Sequence, residues 1–261
     1  MRRVYIEEAW PPSWKSSYSY DLDEVFGEVS HYGYAYAYKN RRKMTLQLLS
    51  EVLPTGARIL DVAAAQGNFS LSLAELGYQV TWNDLRAGLA EYVQLKHEFG
   101  IITFAPGNAF ELSFPSLFDA VLITEIIEHV AHPDEFLRKI ASFVRPGGYI
   151  VMTTPNGAYF RNHLPKFSEC PDPSVFEKVQ FKPNADGHIF LLHPEEIDAL
   201  GASAGLQRDR LFLFTNPLTC GWMKMEILLR ALPRTMVEHF EEITEHVPRW
   251  LQAKILVHIG V

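Results

Sequence analysis

The chain predicts an α/β protein built on a doubly wound, mostly parallel sheet, and three observations lead there. A short apolar run, Ile59, Leu60 and Val62, carries a carboxylate at Asp61 and gives way to a turn of small residues, Ala63 to Gly67, before an amphipathic segment opens at Phe69. Further short apolar runs alternate with stretches of helical spacing along the middle of the chain. The third is the turn Pro146-Gly147-Gly148, which leads into an apolar run ending at Thr154.

Taken in order, the chain opens on aromatics: Trp10, Trp14, Tyr18 and Tyr20, then Tyr32-Gly-Tyr-Ala-Tyr-Ala-Tyr38. Tyrosines alternating with small residues predict an extended segment with four rings on one face, either an edge packed on the core or a lid that excludes water. Residues 39–53 switch to helical spacing (Met44, Leu48, Leu49, Val52) and stop at Pro54 and Gly56, with Arg41 and Arg42 either reaching a ligand or solvated. After the first strand, residues 78–85 read as a second strand ending in Asp84, followed by a helix starting near Arg86 that Asp84 is placed to cap. Residues 101–105 form a third strand, 118–124 a fourth and 145–154 a fifth. His193 precedes Pro194 at a helix entrance. Residues 206–215 then fit the last strand, expected to be the antiparallel one, and the tail around Leu228, Leu229, Phe240 and Trp250 reads as helical. The long stretch 156–187, with Pro165, Pro171, Pro173 and Pro183 set among phenylalanines, reads as a cap.

Composition narrows the class. At 261 residues and 48% apolar content the chain suits one sizeable domain with additions. A net charge of −7 argues against nucleic acid as the main partner and favours a small molecule. Cys170 and Cys220 build no disulfide framework, the start lacks an apolar leader, and no run is long enough to span a bilayer, so a cytoplasmic protein is expected.

The turn after the first strand selects its ligand. A dinucleotide site would want glycines where this chain has Ala63, Ala65 and Asn68, and a carboxylate leading into the turn repels a diphosphate while favouring an ammonium and a sulfonium. The spacing of Asp61, Ala63, Ala65 and Gly67 resembles motif I of the class I S-adenosylmethionine (SAM)-dependent methyltransferases, acidic-x-Gly-x-Gly-x-Gly, with two glycines replaced by alanines that are expected to keep φ below zero. The resemblance implies a seven-stranded sheet and a cofactor held by this turn with Asn68. It implies that Asp84 and Leu85 meet the ribose and that Asn108 and Ala109, in place of a Gly-Asp-Ala stretch, meet the adenine. An acidic side chain at Asp84 accepts two hydroxyls at once, and the amide of Asn108 both donates and accepts, although a bare turn is the plainer reading there.

The chemistry lies after the fourth strand. Glu125, Glu128 and His129 fall at i, i+3 and i+4, so one helical turn would set them on one side, and two carboxylates that close call for a cation or a shared proton. Glu-x-x-Glu-His-Val, Arg-Pro-Gly-Gly, Thr-Thr-Pro-Asn and His-x-Phe-x-x-x-x-Pro-Glu-Glu together resemble the branch containing the ubiquinone-pathway and sugar or natural-product O-methyltransferases, over residues 40–215. That resemblance implies a divalent metal (Mg²⁺, Mn²⁺ or Fe²⁺) on Glu125, Glu128, His129 and His188, with Glu125 also touching the cofactor; solvated or satisfied side chains are the alternative. His129 is the candidate base for an acceptor hydroxyl. The organisation expected is an aromatic extension over 1–39, a SAM-binding domain over 40–215 with cap 156–187, and a helical extension over 216–261 that roofs the acceptor pocket or forms a homodimer interface. Two other readings stand beside O-methylation of a small hydroxylated acceptor: a metal-dependent RNA 2′-O-methyltransferase, and a non-catalytic module retaining the fold.

Overall fold

Seven strands make one sheet: β1 (Arg58–Val62), β2 (Gln79–Trp82), β3 (Ile101–Phe104), β4 (Phe118–Thr124), β5 (Val144–Pro155), β6 (Gln207–Phe214) and β7 (Lys254–Gly260). Their order is β3-β2-β1-β4-β5-β7-β6, with β1 to β5 pairing in parallel and β7 antiparallel to both its neighbours. This computed structural model describes residues 1–180, 187–220, 225–244 and 247–261; Phe181, Pro183, Trp222 and Met223, which belong to the expected cap and tail, lie outside the described residues.

The central strands are buried on both faces, as parallel strands covered by helices must be, and they read as continuous apolar runs. Helices α2 (Tyr32–Val52) and α3 (Asn68–Glu75) bring Leu48, Leu49, Phe69 and Leu73 onto one face. On the other face α5 (Pro133–Ala141) and α6 (Pro194–Ser203) bring Phe136, Leu137, Ile140 and Ile197. The chain leaves β1 towards β2 and β3, then returns to place β4 on the other side of β1. Strand order reverses there, so a crevice opens beyond the carboxyl ends of β1 and β4.

Three expectations need correction. Tyr32 to Tyr38 are not extended but form the first turns of α2, and a spacing of two on a helix sends the rings in different directions. Tyr36 packs with Leu229 and Val237, Tyr38 packs with Phe69, and Tyr34 stays 39% exposed. Alanines between the tyrosines favour the helix, and burial of two rings on different partners fixes it. The expected boundary between residues 39 and 40 therefore falls inside α2.

The second and third concern the tail. Residues 206–215 are neither the last strand nor the antiparallel one; that role belongs to β7, whose Ile255, Leu256, Val257 and Ile259 fill the space between β5 and β6. The tail is helical only in part, at α7 (Met225–Ala231) and α8 (Arg234–Thr244), and its end completes the sheet. At the other end of the chain, α1 (Pro12–Asp21) and a π-helical turn over Leu22–Phe26 pack Trp10, Trp14 and Tyr18 around Tyr92 of α4 (Leu89–Lys96). Among the described residues no helix is long and apolar enough to cross a membrane.

Candidate active site

β1 delivers Asp61 to the floor of the crevice, where it is buried. Its Oδ2 accepts a hydrogen bond from Ser70 Oγ at 2.6 Å, and its Oδ1 has no partner. Burial, aided by the nearby Asp84 carboxylate, pushes its pKa up to about 7. A buried, half-satisfied carboxylate is a ready acceptor for an ammonium group.

The turn beyond Asp61 is left-handed at every glycine position of the motif: φ is 51° at Ala63, 48° at Ala65 and 72° at Gly67. The expectation of negative φ at the two alanines is thus overturned, and each pays about 1–2 kcal/mol for the conformation. The surroundings impose it, because Ala64 N–H donates to Asn83 O at 2.8 Å and Ala65 N–H donates to Asp84 Oδ2 at 2.9 Å. Gly67 has a second constraint, since a Cβ there would lie 2.7 Å from Val93 Cγ1.

Asp84 sits two residues beyond β2 and serves its own backbone as well as the turn. Its Oδ1 accepts from Arg86 N–H at 2.8 Å, and the Arg86 guanidinium closes over both oxygens at 3.0 and 3.1 Å. It does not cap the start of α4, which begins only at Leu89. Arg86 is half exposed, so two ribose hydroxyls can take the carboxylate by displacing a solvent-facing side chain. The side chain of Asn68 turns away from the crevice to donate to Asp21 and Glu24, both at 2.7 Å, which leaves its backbone N–H for a ligand. Asn108 likewise commits its side chain to its own turn, accepting from Phe110 N–H at 3.1 Å and donating to Glu111 at 2.8 Å. Leu85 and Ala109 remain as apolar walls of a cavity of about 300 Å³ that also meets Val62, Ala63 and Ile126. A groove of about 380 Å³ between α2, β6 and α8 is larger, but it lies away from the strand ends, and Lys43–Glu242 and Arg210–Glu51 ion pairs cross its rim.

Glu125 follows β4 with φ 54°, so it precedes the short 3₁₀ turn over Ile127–His129 and does not share its face. The structure brings Glu128, His129 and His188 together, with one ligand atom from each within 4.8 Å of the others, and leaves Glu125 out. Glu125 instead pairs with Arg41 at 3.2 Å and with Lys254. Burial alone would raise its carboxyl, but the Lys254 and Arg41 charges outweigh burial and hold it low. Glu128 is pushed up by burial and by the Glu125 carboxylate; Thr154 Oγ1 donates to one oxygen at 3.1 Å, and the other has no partner. His129 Nδ1 lies 3.3 Å from Gly187 O, and its ring meets that of His188 at 5.0 Å. A carbonyl only accepts, so Nδ1 carries the proton and Nε2 is left with a lone pair.

Several groups here had no marker in the sequence. Lys254 is a lone lysine opening a strand that was itself unread, whereas Arg41, which the sequence did single out, is buried in an ion pair and not solvated. Behind the turn, Asp21 and Lys96 pair at 2.7 Å with neither exposed, and Glu24 accepts from Tyr34 Oη at 2.5 Å and Gln66 Nε2 at 2.9 Å. The i, i+3 spacing of Asp21 and Glu24 within an aromatic stretch was the one available signal. His193 does open α6, where it forms a reciprocal cap with Glu196.

A parallel sheet of this order, with an acid at the end of β1, a tight turn into α3 and a second acid after β2, is the fold of the class I SAM-dependent methyltransferases. The profile of the methyltransferase domain family matches residues 34–210, and the chain belongs to that family. It is 37% identical over 107 residues to the ubiquinone biosynthesis O-methyltransferase of Xanthomonas axonopodis pv. citri, a match covering 40% of this chain and 45% of that protein. The match thus spans less than half of that relative's length. The protein of the same name from Caulobacter sp. (strain K31) is 34% identical over 182 residues, covering 65% of this chain and 67% of the relative. Among solved structures, phosphoethanolamine N-methyltransferase 2 of Haemonchus contortus superposes with a TM-score of 0.59 at 17% identity, over 95% of this chain and 57% of that one. Magnesium protoporphyrin IX methyltransferase of Synechocystis gives 0.53 at 13% identity, over 95% and 93%. At such identities these two likenesses speak for the fold alone.

Proposed function

We propose that the protein is a SAM-dependent O-methyltransferase acting on a small hydroxylated acceptor. The observation that carries the reading is the set of half-satisfied acids at the ends of adjacent strands, Asp61 on β1 and Glu125 and Glu128 just after β4, each with a buried oxygen lacking a partner. The first suits the ammonium of the cofactor's methionine moiety, and Arg41 lies near enough to Glu125 to turn to its carboxylate. Asp84 takes the ribose, while Leu85 and Ala109 sandwich the base. Bound SAM would supply an electrophilic methyl on sulfonium sulfur.

The rest falls to this chain's own groups. While no ion occupies its lone pair, His129 Nε2 accepts the proton of the acceptor hydroxyl, with its tautomer held by Gly187 O. Glu128, His129 and His188 offer mixed oxygen and nitrogen donors that suit Mg²⁺, Mn²⁺ or Fe²⁺. Such an ion would lower the hydroxyl pKa when bound. The O-methyltransferase names of the relatives support oxygen as the atom methylated.

The test is turnover on a panel of phenols, catechols and sugar nucleotides, each with and without EDTA, for the native protein and His129→Ala. Loss of about 10²–10⁴ in rate is expected in the variant, with S-adenosylhomocysteine binding retained. Undiminished turnover by His129→Ala would remove the base, and turnover indifferent to EDTA would remove the metal.

A further inference from the structure

The cavity that takes the base has an unexpected wall. Gln180 lines it together with Leu85, Asn108 and Ala109, yet Gln180 belongs to the segment between β5 and α6, read from sequence as a cap. The segment is pinned over the start of α5: Ala131 N–H donates to Gln180 Oε1 at 3.0 Å, His132 Nε2 lies 2.9 Å from Glu177 Oε1, and the Phe176 ring meets Phe190 at 5.4 Å. Because a backbone N–H can only donate, Oε1 must face Ala131, and the orientation of the amide is fixed by chemistry.

Three side-chain amides line this cavity. Asn83 Nδ2 donates to Ala105 O at 2.7 Å and to Gly107 O at 3.0 Å, and Asn108 Nδ2 donates to Glu111 at 2.8 Å. Of the three, Gln180 Nε2 alone has no hydrogen-bond partner among the described residues. The hydrogen-bonding edge of adenine presents N1 as an acceptor beside the N6 amino group, and a side-chain amide donor facing the cavity suits N1.

Resting on the SAM reading above, we propose that Gln180 reads the base edge of the cofactor, donating from Nε2 to adenine N1 while Oε1 stays on Ala131. The cap segment thereby becomes part of the cofactor site, and it discriminates adenine from bases that carry a proton at N1.

Gln180→Glu tests this with little change of shape. The glutamate keeps an acceptor for Ala131 N–H and replaces the donor with a second acceptor. Calorimetry on the full chain compares S-adenosylhomocysteine with S-inosylhomocysteine, whose hypoxanthine has N–H at position 1 and a carbonyl at position 6. The native protein is expected to prefer the adenine ligand, and Gln180→Glu to lose about tenfold of that preference, with inosine binding kept or improved. Retained inosine binding shows that the segment is still in place. An unchanged ratio of affinities overturns the proposal, as does loss of both ligands with an unaltered melting temperature, which would make Gln180 a strut. If the native protein binds neither ligand, the SAM reading fails first, and this inference with it.

Discussion

Asp61→Asn should move stability and ligand affinity in opposite directions, which makes it the sharpest test of the crevice. Burial carries the Asp61 carboxyl from 3.8 to about 7. At about 1.36 kcal/mol per pH unit, keeping it ionised in the folded protein at pH 8 costs about 4 kcal/mol. The folded state binds the proton more tightly than the unfolded chain does. The stability it contributes is therefore complete below the unfolded value near pH 4 and is lost as pH rises through about 7. Asparagine retains an oxygen for Ser70 Oγ and carries no charge, but its NH2 meets the space now facing the unpartnered Oδ1. Allowing for that unsatisfied donor, the variant should gain about 2–3 kcal/mol over the native protein at pH 8 and be about 1 kcal/mol less stable at pH 4. Urea unfolding across this range measures the difference. Calorimetry with S-adenosylhomocysteine measures the opposite effect, an affinity about ten- to a hundredfold weaker at pH 8 because a charge-assisted bond to the ammonium is gone. In the native protein the same affinity should fall about tenfold per unit below pH 7, since the proton must leave before the ammonium can pair. A variant no more stable than the native protein at pH 8, or one that binds the ligand equally well, would refute the assignment of Asp61 as a strained acceptor kept for a cation.

Two further outcomes follow from the same geometry. Glu125→Gln leaves Arg41 and Lys254, both less than one-fifth exposed, facing each other without their shared counter-charge, and should lower stability by about 3 kcal/mol in urea; a loss within about 0.5 kcal/mol would place these charges in solvent. Gly67→Ala, with φ at 72° and its Cβ 2.7 Å from Val93, should cost about 2–3 kcal/mol, whereas Ala65→Gly relieves a strained φ and stays within about 1 kcal/mol of the native protein because the unfolded chain gains freedom; equal effects at the two sites in thermal melts would contradict this account of the turn.

What the sequence disclosed follows the range of the interactions involved. β1, its turn and α3 were legible because Ile59, Leu60 and Phe69 encode a strand and a helix within a dozen neighbours. β7 was not, because its apolar run acquires meaning only beside β5, about a hundred residues earlier, and β6, on whose far side no strand lies among the described residues. The tyrosine alternation misled for the converse reason: a local period of two was overridden by distant partners, Leu229 and Val237 for Tyr36 and Phe69 for Tyr38. In the candidate site, the placement of Asp61 at the end of β1 and Asp84 just after β2 was legible from position, but the hydrogen bonds of Asn68 and Asn108 and the φ of Glu125 were not, since residue identity does not encode them.

The strain itself is concentrated. Of the four non-glycine residues with positive φ among the described residues, Ala63, Ala65 and Glu125 border the crevice at the ends of β1 and β4. Chains hold such conformations where the surroundings over-determine them, and here Asn83 O, Asp84 and the Arg41–Lys254 pair do so. An alanine at positions where the family pattern has glycine keeps the backbone bend and adds a methyl group beside the crevice. The turn is then narrower and stiffer than a glycine turn, a shape suited to a single sulfonium and its ammonium and less to a bulkier diphosphate.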